Sequence, residues 1–185
     1  MPDDPTTPPG DAAPAEAPAT PEPPKPRPAG EPEGVVALRE MIEATLTRVA
    51  GGYLVDERSS YVVGLETART FVVPTWLQNG TTVVRVFAIT NIGVPVTAEL
   101  TRWLLQKNLD FVFGAFALDV ENGAVWFNHN LLGAFTATEE LEATIGAVIE
   151  TANRFDDEIK SLFGGRLYVE GEGDAVAPPA SPGYL

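Results

Sequence analysis

The sequence predicts an α+β fold, with a five-stranded antiparallel sheet and three helices in the order αβββαββα. Two Asn-Gly pairs, Asn79-Gly80 and Asn122-Gly123, each separate two strand-like runs. Asn-Gly favours the two-residue type I′ turn of a β-hairpin, because both central residues of that turn need positive φ. Three other segments repeat apolar residues at helical spacing. Groups of strands interrupted by single helices are typical of α+β domains.

The composition divides the 185-residue chain into one domain and two tails. Residues 1–33 hold 12 of the 17 prolines and almost no aliphatic or aromatic side chains. Such a segment cannot bury enough apolar surface to offset the entropy of ordering, so we expect it to be disordered. Residues 34–166 are predicted to form the domain. Residues 167–185 are again polar and contain Pro and Gly, and we expect a second disordered tail.

The first helix is predicted between Val35 and Val49, where apolar residues follow helical spacing and charged residues occupy the opposite side. Gly51-Gly52 follows, and glycine commonly ends a helix because it adopts the left-handed conformation without strain. We interpret this segment as a helix that packs on the sheet.

Three strands are predicted next, at Tyr61–Leu65 with a short extension at 53–55, and at 69–78 and 81–90. Proline has no N–H to donate to a neighbouring strand. Pro74 therefore predicts that its strand lies at an edge or is bulged at that point.

The second helix is predicted over 96–108, with Thr97 as its N-cap. Its main apolar stripe contains Leu104, and Leu105 lies about 100° further round the helix. Together with Leu109, Leu105 indicates a second apolar contact. This contact is either ordinary burial between neighbouring elements or the interface of a homodimer.

The second hairpin, residues 111–132, is the clearest structural signal in the chain. With Asn122-Gly123 as a two-residue loop, Val120 would lie opposite Val125, Leu118 opposite Phe127 and Phe116 opposite His129. These residues would form one apolar face directed at the core.

The other face of this hairpin is mixed, with small side chains beside one tryptophan. Burial is the usual state of a tryptophan, but a flat surface of small and aromatic residues also suits a peptide or a second subunit. We therefore predict a partner-binding surface on this face. Its predicted residues are Trp126, Ala115, Ala117, Asn128 and Phe113.

The last helix is predicted to begin near Thr136 and to end at Gly164-Gly165. Thr136 and Glu139 have the spacing of a capping box, in which two side chains satisfy free backbone N–H groups. Apolar residues from Leu141 to Leu162 form a stripe of about six turns.

No residue pattern in the sequence indicates catalysis, and we expect a protein that is not an enzyme and has no cofactor or metal. The absence of cysteine excludes disulfides and thiolate metal sites. His129 is the single histidine, so no site with two His ligands can form. We interpret His129 as a structural residue at the sheet margin, with a pocket for a small molecule as the alternative. No phosphate-binding loop is present.

The net charge of −14 argues against nucleic acid or an anionic membrane as the partner, since both require clustered Lys and Arg. The acidity either serves solubility or matches a basic partner. No stretch approaches the roughly 18 apolar residues of a membrane span, and the N-terminus lacks the pattern of a secretory signal. We expect a cytoplasmic protein.

The element order and the run from Val94 to Gly133 resemble the YbjN-like family in its actinobacterial form. The most specific parts are NLDFVFGAFALD, residues 108–119, and VWFNHNLLG, residues 125–133. The resemblance covers 35–165, and the long N-terminal Pro/Ala segment lies outside the family pattern. The same αβββαββα order occurs in type III secretion chaperones, which are related to this family.

The resemblance implies a small cytoplasmic protein without catalytic residues. Family members are described as regulators of sensory transduction or as chaperone-like peptide binders, and the related secretion chaperones are acidic homodimers that bind unfolded client segments. We therefore predict a non-enzymatic module that binds a protein or peptide client. The alternative is a regulatory or scaffold subunit in signalling that acts through its disordered arms.

Overall fold

The computed structural model describes residues 31–65 and 68–171. Within these residues, three helices and seven antiparallel strands are formed. The helices are Glu33–Ala50 (α1), Ala98–Asn108 (α2) and Thr138–Phe163 (α3). The strands are Leu54–Val55 (β1), Tyr61–Leu65 (β2), Ala68–Trp76 (β3), Thr82–Ile92 (β4), Ala115–Asp119 (β5), Ala124–Leu132 (β6) and Arg166–Leu167 (β7). Two short 3₁₀ turns occur at Gly133–Phe135 and Tyr168–Gly171.

The sheet has the strand order β1-β2-β3-β4-β6-β5, and β7 pairs with the end of β4. The predicted α+β class and the three helices are confirmed. The prediction of five strands is wrong, since β1 and β7 bring the number in the described residues to seven. β1 forms at the predicted extension 53–55, but as a separate strand that pairs with β2. β7 was not predicted, because two residues are too short to produce an alternating pattern in the sequence.

The folded part of the chain extends beyond 34–166 at both ends. Near the N-terminus, the Glu31 carboxylate accepts hydrogen bonds from the buried Arg39 guanidinium at 2.6 and 3.0 Å. Near the C-terminus, β7 and the turn Tyr168–Gly171 pack against the sheet. The remaining parts of the two predicted tails, residues 1–30 and 172–185, lie outside the described residues.

The three helices cover one face of the sheet and form the main core with it. Buried apolar residues recur at helical spacing in each helix and at every second position in the strands. Its members include Ile42, Leu46, Val72, Val84, Val86, Leu100, Phe127, Leu141, Ile145 and Ile159.

The opposite face of the sheet carries a second apolar cluster, here called the outer cluster. It consists of Val62, Phe71, Phe87, Ile89, Ile92, Ala124 and Trp126. The strand β4 contributes to both faces, and its long apolar run is typical of a strand that is buried on both sides.

The hairpin of β5 and β6 has a register two residues away from the predicted one. Leu118 lies opposite Val125, and Phe116 lies opposite Phe127. Because the shift is an even number of residues, each side chain within the paired strands keeps its predicted face. Two residues outside the paired strands do not: Val120 lies in the loop and is 66% exposed instead of facing the core, and Phe113 precedes β5 and contacts His129.

The loop of this hairpin contains four residues rather than two. Gly123 has a φ of 61°, whereas Asn122 does not have positive φ, so a type I′ turn is not formed. The Asp119 carboxylate stabilises the longer loop, because it accepts hydrogen bonds from Glu121 N at 3.0 Å and from Asn122 Nδ2 at 2.7 Å. The type I′ prediction was therefore wrong here.

The Asn79-Gly80 hairpin also differs from the prediction. Trp76 pairs with Thr82, and the Leu77 N–H donates to the Thr81 carbonyl at 2.8 Å, which leaves a three-residue loop. Gly80 alone takes positive φ, at 83°. Three-residue hairpin loops commonly place glycine at this left-handed position.

Three of the four helix-end signals predicted from the sequence are formed, and one is not. Thr97 caps α2 and accepts a hydrogen bond from Leu100 N at 3.1 Å. Gly51 and Gly164, both with positive φ, end α1 and α3 as predicted. The capping box at Thr136 is not formed, because the Thr136 hydroxyl donates to the Leu132 carbonyl and α3 begins two residues later.

Pro74 lies where β3 has only one neighbour among the described strands. It pairs with Val84 of β4, whereas the pairing of β3 with β2 ends at Val72. The missing N–H of proline therefore does not interrupt the ladder with β2. The prediction of an edge or bulged strand is wrong for β3 as a whole, because β3 lies between β2 and β4 and pairs regularly with β4 through Pro74.

Candidate functional site

The outer cluster is built on stacked aromatic rings. Phe71 and Phe87 are stacked with centroids 5.1 Å apart, and the Trp126 ring lies 5.2 Å from Phe87. Trp126 is 5% exposed, so the side chain predicted to lie on a shallow open surface is buried.

The indole of Trp126 leaves a hydrogen-bond donor unused. Its Nε1 is buried and has no hydrogen-bond partner among the described residues. A buried donor without an acceptor costs about 1–3 kcal/mol. A carbonyl oxygen placed beside this nitrogen would remove that cost.

Arg85 adds a positive charge to the same side of the sheet. Its guanidinium carbon lies 5.6 Å from the centroid of the Phe87 ring. Burial lowers the pKa of Arg85 from its ordinary value. Arginine stays protonated in proteins, so the positive charge of Arg85 favours an acidic group beside it.

The small residues predicted to adjoin Trp126 form a shelf at the sheet edge. Ala117 lies opposite Trp126, and Ala115 lies opposite Asn128. The Asn128 side-chain amide donates to the Ala115 carbonyl at 3.0 Å. Ala117 is exposed. The structure thus brings four of the five predicted partner-binding residues together.

The fifth, Phe113, lies apart from this shelf. Its ring contacts His129, at a centroid distance of 5.6 Å, and His129 points to the helix side of the sheet with Val86. Gly114, with a φ of 75°, separates Phe113 from β5 and breaks the alternation on which the prediction rested. The register of β5 with β6 also gives His129 no direct partner in β5.

An exposed apolar strip, here called the apolar rim, follows the end of α2 and the loop after it. Leu105 and Leu109 are one helical turn apart and are 63% and 85% exposed. Val112 and Phe113, which complete the rim, are 86% and 68% exposed. Clustered exposed apolar side chains mark an interaction surface more often than single ones do.

A shallow groove of about 300 Å³ lies between α2 and the end of α3. It adjoins the apolar rim on the same helix. Trp103 forms its floor with Phe163, and the two rings are 5.7 Å apart. Its other lining residues are Glu99, Arg102, Gln106 and Leu162.

The free edge of β5 is partly closed by a side chain. Asn108 Oδ1 accepts a hydrogen bond from Phe116 N at 2.7 Å, and Asn108 Nδ2 donates to Phe116 O at 3.1 Å. The amide of Asn108 therefore replaces one residue of a neighbouring strand. Such edge protection limits pairing with other chains.

The described part of the chain contains no group of three or more acidic or histidine side chains that could hold a metal ion. None of its helices combines the length and apolarity required to cross a bilayer.

The sequence interpretation did not single out Phe71, Phe87, Arg85 and Tyr168. Phe71 and Phe87 lie in strands whose apolar runs continue over both faces, and this continuity was the available signal. Tyr168 follows the two-residue strand β7, within a segment assigned to a tail, so no periodic pattern marked it.

Residues 36–171 match the family model described as "T3SS (YopN, CesT) and YbjN peptide-binding chaperone 1". The chain belongs to this family. The match includes β7 and the turn that follows it. No curated protein matches the sequence. The family is one of binding proteins, in agreement with the absence of a catalytic pattern in the sequence.

Chains of two solved complexes share the fold of this family member at low sequence identity. The ExsC-ExsE complex has a chain with a TM-score of 0.54 and 15% identity, covering 68% of this chain and 95% of that one. The HopA1-SchA chaperone-effector complex gives a TM-score of 0.53 and 7% identity, covering 69% and 98%. A chain of the complex between the Yersinia pestis type III secretion chaperone SycH and a stable fragment of YscM2 gives a TM-score of 0.47 and 16% identity. That match covers 63% of this chain and 98% of the other.

Proposed function

We propose that the chain is a non-enzymatic, cytoplasmic chaperone-like module that binds a protein client through a segment in extended conformation. The observation that carries this proposal is the match of the folded part of the chain, residues 36–171, to a family of peptide-binding chaperones. The two complexes with TM-scores above 0.5 support the fold.

The shelf beside Trp126 is the proposed contact for the client. Ala115 and Ala117 have short side chains, so the backbone of a bound segment can approach the sheet closely there. Leu118 follows them on β5. It lies beyond Phe116, whose backbone N–H and C=O are hydrogen-bonded to the Asn108 side chain. Phe113 would contact the client only where a segment passes round the edge of β5, because it lies on the His129 side.

Two copies of the chain are proposed to associate through Leu105 and Leu109 of the apolar rim. Both side chains are exposed and lie on one side of α2. An isologous interface buries the same patch from both copies, so an apolar strip on a helix can pack against itself.

A second candidate function is a regulatory or scaffold role that depends on the N-terminal segment. Its basis is the composition of residues 1–33, which are rich in proline and lie outside the family match. Removal of residues 1–30 would abolish partner binding under this alternative and would leave it intact under the first.

The test of client binding is a fluorescence titration of the full chain with a labelled extended peptide that alternates Val and Lys. The Lys residues suit a chain with a net charge of −14, and the Val residues suit an apolar shelf. Ala117→Lys places a larger side chain on the shelf, and its positive charge repels the Lys residues of the peptide. Ala147→Lys, on the exposed side of α3, adds the same charge elsewhere and serves as the matched control.

A further inference from the structure

The outer cluster is buried, although few described residues outside the sheet contact it. The three helices lie on the opposite face. Of the described apolar side chains beyond the strands β1 to β6, Tyr168 packs on the cluster, with its ring 6.2 Å from that of Phe71. Aromatic rings that are at most 5% exposed on a sheet face require a further covering element.

We propose that the outer cluster binds the chain's own C-terminal segment, residues 172–185, and that this segment, lying against Trp126, competes with client peptides for the adjoining shelf. The competition rests on the proposed function, whereas the docking of the segment does not.

The position of the last described turn favours this occupant. Tyr168–Gly171 lies over β3 and β4, so the next residues begin directly beside the cluster. Adjacent strands are about 4.8 Å apart, which places β6 with Trp126 about 10 Å from β3. The 14 residues of the segment can span up to about 46 Å when extended. The segment therefore reaches Trp126 with length to spare.

The segment also supplies the groups that Trp126 lacks. It contains Val176 and ends in Tyr184 and Leu185, which are apolar side chains able to cover an aromatic face. Pro178-Pro179 favours an extended backbone whose carbonyl groups make no internal hydrogen bonds. One of these carbonyls can accept the hydrogen bond that the buried Nε1 of Trp126 does not make among the described residues.

The charges of the two partners are complementary. The segment begins with Glu172 and Asp174 and contains no Lys or Arg. Arg85 projects from the same face as the cluster, lies against the Phe87 ring and forms no ion pair within the described residues. An acidic group of the segment would provide its counter-charge.

The docking is tested by paramagnetic NMR on the full chain. Because the sequence has no cysteine, Ser181→Cys accepts a single nitroxide label. The label is expected to remove most of the intensity of the Trp126 indole N–H signal and to leave that of Trp103, on the helix side. Arg85→Gln should restore much of the lost Trp126 signal. Equal attenuation of the Trp126 and Trp103 indole signals, or no attenuation of either, would overturn the proposal.

The competition is tested by titrating the Val/Lys peptide into the full chain and into a full chain carrying Val176→Ser, Tyr184→Ser and Leu185→Ser. The variant is expected to bind the peptide about tenfold more tightly. Equal affinities would contradict the competition. A positive NMR result with no peptide binding by either protein would support docking and count against the proposed function alone.

Discussion

Tyr61 illustrates how single residues set the stability of the domain. Its side chain is 2% exposed, and its hydroxyl donates a hydrogen bond of 2.7 Å to the Glu43 carboxylate. Burial raises the pKa of the Tyr61 phenol, and the contact with Glu43 acts in the same direction, while Arg39 lowers it. The neutral phenol is thus the form that the folded state favours.

This raised pKa predicts a loss of stability at alkaline pH. An unfolded tyrosine titrates near pH 10, so the contribution of Tyr61 is complete below about pH 10 and is lost as the pH rises above it. Tyr61→Phe should cost about 1.5–3 kcal/mol at pH 8, since a hydrogen bond to a charged group is lost. It should also reduce the further loss of stability above pH 10. Urea unfolding of both proteins at several pH values measures this, and parallel pH profiles would contradict it.

Single residues also show where prediction from the sequence succeeded. The cap at Thr97 depends only on neighbouring residues, and it was predicted correctly. The burial of Trp126 depends on Phe87 and Phe71 from two other strands, so alternation within the hairpin could not reveal it. Phe113 changed sides because Gly114 breaks the strand pattern, and sequence alone does not give the φ of that glycine.

Among the structural elements, the edge strand β5 depends on its contact with α2. Asn108 satisfies both backbone groups of Phe116. Asn108→Ala should cost about 1–3 kcal/mol, because two backbone groups lose their partners, and should accelerate amide hydrogen exchange at Phe116.

Gln106→Ala, at an exposed position one turn or less away on α2, is the control for this substitution. It should leave the exchange of Phe116 unchanged. If the Phe116 amide exchanged at the wild-type rate in Asn108→Ala, the role assigned to Asn108 would be wrong.

The elements themselves were predictable wherever their patterns were long. The three helices and the five longer strands followed from periodicity. The exact hairpin registers did not follow, because Asn-Gly fits several loop lengths and side-chain contacts select among them. Asp119 stabilises a four-residue loop, and the N–H of Val94 donates to the Gly123 carbonyl at 2.9 Å from outside the hairpin.

At the scale of the whole molecule, the apolar rim predicts self-association. Leu105→Glu combined with Leu109→Glu should convert a dimer to a monomer, because two charges would be buried in the interface. Sedimentation equilibrium measures the mass, and Ala147→Glu should retain the dimer. A wild-type chain that is monomeric at all accessible concentrations would contradict the proposed interface.

The function of the whole molecule was less accessible to the sequence than its fold. Exclusion of catalytic patterns reduced the alternatives, and the resemblance of residues 108–119 and 125–133 to a known family indicated a peptide binder. The surface proposed for the client could be predicted only in part, because the shelf and the outer cluster are assembled from β3, β4, β5 and β6 together.

The central claim is that this chain binds extended protein segments at the shelf beside Trp126. The most direct test is the titration of the full chain with the labelled Val/Lys peptide, in parallel with Ala117→Lys and Ala147→Lys. We predict saturable binding that Ala117→Lys weakens at least about tenfold, or about 1.4 kcal/mol, and that Ala147→Lys leaves unchanged. Absence of binding, or equal affinity in all three proteins, would contradict the claim.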